Sequence, residues 1–425
     1  MKRRMIMAVA AVLTAAVVVC GCGKKEENPQ FTGEGTKEPE YQACLDAIFP
    51  AAYNNVYGLE LKPGTYISLI GKETSTEYWK EFSRGAAQAA EDLNTALGYT
   101  GSDKIKVVYN GSAKKEDIND QVNILDEEIA RNLDVLGIAS VDEDACGVPL
   151  DMAVSNGIPI IAFDSGNVHQ GILCTIKTDN VDAARTGAYK LADELGGEGQ
   201  VILLVNDSES ESARERTESF LNEMSQNHPD IEVVETIYLD RMETYKKQIV
   251  EEKIQLSKAE NAMQNPDGSG AENAMQNPDG SSDVMVGGET GIPEEVTEEQ
   301  KAEMVRAMAD EDVLLYYLEK YPDLKGMFGT SYMATQTGLS VLRRAERTEN
   351  VSLMGFDAGA AQLSALESGE IDGLVVQNPF GMGYATVVAA ARSVLELGNE
   401  AQVDTGYTWV TRENIEDESI QKMLY

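Results

Sequence analysis

Four polar residues stand at the ends of apolar runs. Asp164 follows Ile158-Pro159-Ile160-Ile161-Ala162-Phe163, Ser331 follows Gly326-Met327-Phe328-Gly329 by one residue, Asp357 follows Val351-Ser352-Leu353-Met354-Gly355-Phe356, and Gln377 closes the run from Gly373. Such runs read as strands buried on both faces, and in open parallel sheets ligands bind outside the carboxyl ends of the strands. The chemistry these side chains offer there is hydrogen bonding: a carboxylate accepts from hydroxyls, and an amide or hydroxyl both donates and accepts. Parts for bond-making chemistry are missing. The chain has two histidines, His169 and His228, and no G-x-S-x-G, H-E-x-x-H or G-x-x-x-x-G-K-[ST] stretch, so nucleophile-elbow, zincin and P-loop chemistries lack their minimal residues. No enzymatic activity, metal site or cofactor is expected.

The elements that must position those residues alternate regularly. Tyr66–Ile70 reads as a strand, followed by Tyr78, Phe82, Ala86, Ala89, Leu93 and Leu97 at helical spacing; Ile105–Tyr109 and Leu133–Ile138 are strands separated by a helix through Ile118, Val122, Leu125 and Ile129. A helix over Cys146–Ser155 leads to the strand before Asp164. The cycle restarts after Asp179-Asn180 with a helix through Ala184, Ala188, Leu191 and Leu195, the strand Val201–Val205, a helix Ala213–Met224 and the strand Ile231–Tyr238. After the interruption described next come a helix through Leu339 and Leu342, another over Ala360–Leu366, a long helix Gly383–Leu397 and a last strand near Tyr407–Thr411. The pattern predicts α/β architecture with parallel sheets.

Residues 239–312 interrupt the rhythm and read mostly as a mobile surface insertion. Within them the twelve residues AENAMQNPDGSG recur as AENAMQNPDGSS over 259–282, with Asn-Pro-Asp-Gly as a turn signal and no sustained apolar period. The alternating oxygen ligands and closing Glu of an EF-hand loop are missing there.

At the other end, Lys2-Arg3-Arg4 precedes an apolar segment, Met5–Val19, too short for the roughly 20 residues that span a bilayer. Residues 1–21 read as a secretory signal resembling that of bacterial lipoproteins, with Gly21 as the small residue before the cut and Cys22 as the lipidated cysteine. Residues 22–40, rich in Gly, Pro, Thr and Glu, read as a flexible acidic tether. Localisation is then the outer face of the cytoplasmic membrane. Residues 41–63 form an extra segment in which Cys44, Leu45, Ile48 and Phe49 lie at helical spacing. The remaining cysteines, Cys44, Cys146 and Cys174, are an odd set without a C-x-x-C pair, which leaves open one bond between Cys146 and Cys174 or three buried thiols. A net charge of -37 repels nucleic acid, so none is expected as a partner.

Four stretches together resemble the sugar-binding branch of the type I periplasmic solute-binding proteins, relatives of ribose- and galactose-binding proteins: Tyr78-Trp79 leading into Gly85-Ala86-Ala87; Gly157-Ile158-Pro159 running to Asp164-Ser165; Thr178-Asp179-Asn180; and Gly355-Phe356-Asp357 followed by Gln377-Asn378-Pro379. The resemblance covers residues 64–425 apart from the insertion. It implies two doubly wound parallel-sheet lobes joined by three hinge strands, lobe 1 holding 64–177 and 379–403 and lobe 2 holding 178–378 and 404–425, with ligand in the cleft between them.

The resemblance also implies a ligand set. Tyr78 and Trp79 match the family's stacking pair, Arg214 matches its ligand arginine, and Asp164, Asp357 and Gln377 match its polar contacts; Lys72 and Thr76 share the loop before Tyr78. Ser165 replaces an arginine found in ribose binders, and Ser331 and Tyr332 replace an asparagine and an aspartate, which departs from the ribose pattern. The function implied is capture of a sugar or sugar-like polyol by a monomer that delivers it to an ABC permease. The alternative is a sensing module for a chemoreceptor or sensor kinase, with an autoinducer-type furanose as a possible ligand.

Overall fold

The computed structural model describes residues 39–113, 117–264 and 296–425. The signal segment, Cys22 and the tether to residue 38 lie outside the described residues, as does the repeat from residue 265 on. In the first half of the chain, α1 (Gln42–Asp46) precedes β1 (Tyr66–Glu73), α2 (Glu77–Leu97), β2 (Lys106–Ser112), α3 (Ile118–Ile129), β3 (Val135–Ile138), α4 (Glu143–Ser155), β4 (Ile160–Phe163) and β5 (Ile172–Lys177). Next come α5 (Asn180–Glu194), β6 (Gly199–Val205), α6 (Glu211–Asn227), β7 (Ile231–Tyr238), α7 (Met242–Gln264), α8 (Glu298–Ala307), α9 (Asp310–Lys320), β8 (Leu324–Gly329), α10 (Tyr332–Arg344), β9 (Ser352–Phe356), α11 (Ala360–Ser368) and β10 (Gly373–Gln377). The chain ends in α12 (Pro379–Val394), β11 (Gln402–Asp404), β12 (Tyr407–Val410) and α13 (Glu418–Gln421).

Two six-stranded sheets result, ordered β11-β5-β4-β3-β1-β2 and β12-β10-β9-β8-β6-β7. Every pairing is parallel except β10 with β12, which places Leu374 opposite Val410 on an antiparallel edge. The two lobes are therefore repeats of one layout, with β1 and β6, β3 and β8, and β4 and β9 in equivalent places. β3 and β4 are buried along their whole length, as expected for parallel strands covered by helices on both faces. The chain passes between lobes three times: from β5 to α5, from β10 to α12, and from β11 to β12.

Helices α2 and α12 cover one face of the first sheet and meet through glycines. A Cβ on Gly85 would collide with the carbonyl oxygen of Phe380, and one on Gly383 with that of Phe82. This close crossing seats Tyr78 and Trp79, at the start of α2, over the sheet.

Several expectations are corrected. The stretch 239–312, read as mostly a mobile surface insertion, carries α7 and α8, and Ile249, Val250 and Ile254 of α7 are buried, the last two against Val305 of α8. Few apolar residues among many charges hid this helix. In the segment before β1, the helix stops at Asp46; Cys44, Leu45 and Ile48 are buried in the first lobe's core, whereas Phe49 is 72% exposed and its backbone pairs with Asp404. The three thiols are free and buried, and burial pushes Cys44 and Cys146 up to about 11 and Cys174 up to about 12, so all remain protonated.

Overpacking a tight crossing costs about 1–3 kcal/mol. Gly85→Val is expected to lower unfolding free energy by about 2 kcal/mol or more in urea melts. Gly147→Ala, in α4 with open space around the added methyl, is expected to be neutral or to stabilise by up to about 1 kcal/mol.

Candidate ligand-binding site

A cavity of about 500 Å³ lies between the carboxyl ends of the two sheets, within the size range of small-molecule sites. Each lobe contributes one strand-end aspartate to it. Asp164 follows β4 and Asp357 follows β9, and both sit in the left-handed region, at φ 57° and 75°. Their backbone N–H groups donate to Ile176 and Val375 on the next strand, so the side chains are turned off the sheet edge into the cavity. Aspartate tolerates this conformation better than most residues, and such backbone strain persists where the surroundings over-determine it.

In the first lobe, the Tyr78 hydroxyl donates to Asp164 Oδ1 at 2.6 Å. Burial, followed by the Asp164 charge, pushes the Tyr78 phenol well above its ordinary pKa, so it remains a donor. Trp79 is 6% exposed; its ring packs on Phe82, Tyr109 and Phe163 and still lines the cavity. Lys72 near the end of β1 and Thr76, just before α2, line the same wall.

The second lobe presents a connected chain of buried polar groups. Arg216 Nε donates to Asn180 Oδ1 at 2.8 Å, Nη1 to the Thr330 carbonyl at 2.8 Å, and Nη2 to Gln377 Oε1 at 3.0 Å. Its guanidinium lies 4.1 Å from the centre of the Phe356 ring. Gln377 Nε2 donates to Asp357 Oδ1 at 2.7 Å, and the Tyr332 N–H donates to Asp357 Oδ2 at 2.8 Å. Both Arg216 and Asp357 are buried charges, and each has partners, as burial demands. Ser331 lines the cavity while its hydroxyl also caps α10 by accepting from the Ala334 N–H. Asp207 faces Lys72 across the cleft: burial raises its carboxyl, and the Ser210 N–H, the Lys72 charge and neighbouring polar groups outweigh that and hold it below the ordinary value.

Tyr78, Trp79, Asp164, Ser331, Asp357, Gln377, Lys72 and Thr76 are thus brought together around one cavity, and two expected residues are not. Arg214 lies at the rim of the cleft, outside the main cavity: its guanidinium is on the Glu209 carbonyl and 3.9 Å from Glu143 of the first lobe, and it lines a separate, smaller cavity. The buried face of α6 runs through Ala213, Arg216, Thr217 and Phe220, and two positions along a helix turn a side chain to the opposite face, so it is Arg216 that lines the main cavity. Ser165 is buried behind the strand end, donating to the Ser140 carbonyl at 3.1 Å and lining a separate, smaller cavity.

Asn206, Asp207, Thr330 and Tyr425 also line the main cavity and were not anticipated. Asn206-Asp207 follows the apolar run ending at Val205, so the strand-end rule reaches them; nothing local marks Tyr425. His169 lies away from the cavity with Nε2 3.1 Å from Asp151.

Known proteins give this arrangement its family. The chain is 24% identical over 154 residues to a xylitol-binding protein of Mycolicibacterium smegmatis, covering 36% of this chain and 42% of that protein. It is also 24% identical over 194 residues to a D-apiose import binding protein of Actinobacillus succinogenes, covering 45% and 57% respectively. The chain therefore aligns with about half the length of these curated relatives. The crystal structure of a carbohydrate transporter solute binding protein from Agrobacterium radiobacter, in complex with D-arabinose, is similar with a TM-score of 0.60 at 24% identity, covering 85% of this chain and 99% of that one. A family model described as periplasmic binding protein domain matches residues 67–308 and 269–398, most of the chain, and the protein belongs to that family.

Proposed function

We propose that this protein is an extracytoplasmic solute-binding lipoprotein that captures a sugar or sugar-like polyol and delivers it to an ABC permease. The observation that carries the reading is the pair of strand-end carboxylates, Asp164 and Asp357, one per lobe, turned into a single cavity beside Tyr78 and Trp79. Carboxylates and an amide suit the hydroxyls of a polyol, and aromatic faces suit its C–H side. The xylitol- and apiose-binding relatives and the arabinose-bound neighbour point to the same ligand class.

The mechanism requires binding and closure, with no bond made or broken. A ligand that touches Asp164 alone gains from one lobe; a ligand that also reaches Asp357 and Gln377 gains from both, and only the closed arrangement offers both sets. Such a ligand shifts the open–closed equilibrium by its difference in affinity for the two forms. Gln377 immediately precedes the crossing at Asn378, so the ligand's grip on the second lobe adjoins a hinge. Cys22, behind the apolar segment Met5–Val19, would carry the lipid that keeps the receptor near its permease.

Isothermal titration of the soluble domain against pentoses, hexoses and polyols is expected to give binding to one class, which Asp357→Ala and Arg216→Ala each weaken by about 30-fold or more, the scale of a lost hydrogen bond to a charged group. Arg214→Ala should stay within about 2-fold of wild type, since rim charges act mainly on rates. Equal losses in the Arg214 and Arg216 variants would rule out the assignment of α6. For the anchor, Cys22→Ser should move the protein from the membrane fraction to the soluble one; retention on the membrane would exclude lipidation at Cys22.

A further inference from the structure

The aromatic wall of the cavity is asymmetric in a way the duplicated layout does not require. Helices α2 and α6 occupy equivalent places, after β1 and β6, with Thr76 and Ser210 at the position just before each helix. Two and three residues on, α2 places Tyr78 and Trp79 on the cavity, whereas α6 places Ser212 and Ala213 there. The second lobe's helix thus leaves room where the first lobe's helix fills it. On that side stand Tyr332 and Met333 of α10 and a tyrosine from far along the chain. Tyr425 lines the cavity, donates its hydroxyl to Asp357 Oδ1 at 3.1 Å, and sets its ring edge-on to Tyr78, with centroids 5.8 Å apart and planes at 76°. The Tyr78–Asp164 pair of the first lobe is thereby matched by a Tyr425–Asp357 pair in the second.

The segment that carries Tyr425 is held by both lobes. Ile420, Leu424 and Tyr425 pack against the second lobe's core, Met423 is 9% exposed in the first lobe's core, and the Lys422 carbonyl accepts from the Cys44 thiol at 3.2 Å. A side chain anchored this way is a fixed wall. Its bond to Asp357 is longer than the 2.6 Å bond from Tyr78 to Asp164, and Oδ1 already accepts from Gln377, so the hydroxyl is not what holds Asp357 in place. What the residue chiefly contributes is the volume of its ring.

We propose that Tyr425 is a specificity-determining residue of the cleft, the second-lobe wall that restricts the bound molecule to about one sugar ring. This rests on the sugar-binding reading above and extends it to ligand size. The test is titration of wild type and Tyr425 variants with D-arabinose, D-galactose, xylitol and the disaccharides maltose and cellobiose, with ligand-free melting temperature as the folding control.

Wild type should bind a monosaccharide or polyol and reject both disaccharides. Tyr425→Ala should raise the ratio of disaccharide to monosaccharide affinity by about tenfold or more, the discrimination that shape alone provides in a pocket. Tyr425→Phe, which keeps the ring, should preserve the wild-type order, and Tyr425→Trp should shift preference toward the smaller sugars. If the alanine variant does not fold, Tyr425→Leu makes the same comparison. A common fall in all affinities with the ratio unmoved would overturn the proposal and leave Tyr425 a structural residue. Binding of nothing in the panel by wild type would overturn it by removing the sugar reading itself.

Discussion

A buried positive charge has to be matched, and the second lobe is arranged around that requirement. Arg216 distributes its donors over Asn180 at the start of α5, the carbonyl of Thr330 after β8, and Gln377 at the end of β10; Gln377 in turn holds Asp357 after β9. One guanidinium therefore gathers the ends of four elements that are far apart in sequence. Leaving either end of this chain unpaired would strand a charge away from water, which costs more than the net worth of the bonds themselves. The amide of Gln377 has no freedom to flip, because its oxygen faces the Arg216 and Thr178 donors and its nitrogen faces a carboxylate. Whatever fills the cavity meets an Asp357 already aimed.

The hinge is built from the same kind of parts. The Asn378 amide donates to the carbonyls of Cys44 and Thr405 at 2.7 and 2.8 Å and accepts from the Gly381 N–H at 2.9 Å, tying the second and third crossings to the segment before β1. Asp404 accepts from the backbone N–H groups of Asp179 and Gly406, which joins the first crossing to the third. At the end of β5, the Lys177 ammonium meets Glu211 and Glu215 at 3.0 and 2.7 Å. The chain before β1, with its Phe49–Asp404 backbone pairing, is thus part of the hinge packing and no mere leader to the first strand. Gly406, at φ 75°, takes a backbone conformation there that a side chain would oppose.

What was legible in the sequence follows from what is local. Apolar runs ending in a polar residue located Asp164, Asp357 and Gln377, because a strand buried on both faces must be apolar and its end must meet the cleft. The same rule extends to Asp207. The fold class was readable from the alternation of strands and helical stripes. Family resemblance points to Arg214, whereas the stripe Ala213, Arg216, Thr217, Phe220 marks the inward face of α6. Ser165 shares a strand end with Asp164 but turns the other way, and no spacing argument separates neighbours whose difference is one unusual φ. Helix α7 buries three aliphatic residues amid charges, too weak a period to stand out. Tyr425 was out of reach, because its place depends on contacts with both lobes.

Under the proposed function, the duplicated layout also explains why closure would depend on what is bound. Contacts the protein makes across the cleft include the edge-on pair of Tyr78 and Tyr425, Lys72 opposite Asp207, and Arg214 near Glu143. An aromatic pair contributes about 0.5–1.5 kcal/mol beyond its buried area, and partly exposed ion pairs contribute less. Contacts of that size bias an equilibrium without fixing it. A polyol that replaces solvent between Asp164 and Asp357 adds charge-assisted hydrogen bonds on both sides at once, each of the stronger kind. On the proposed function, the difference between open and closed lobes would then be carried mainly by the ligand, which is the condition under which a closed shape could report that the cleft is filled.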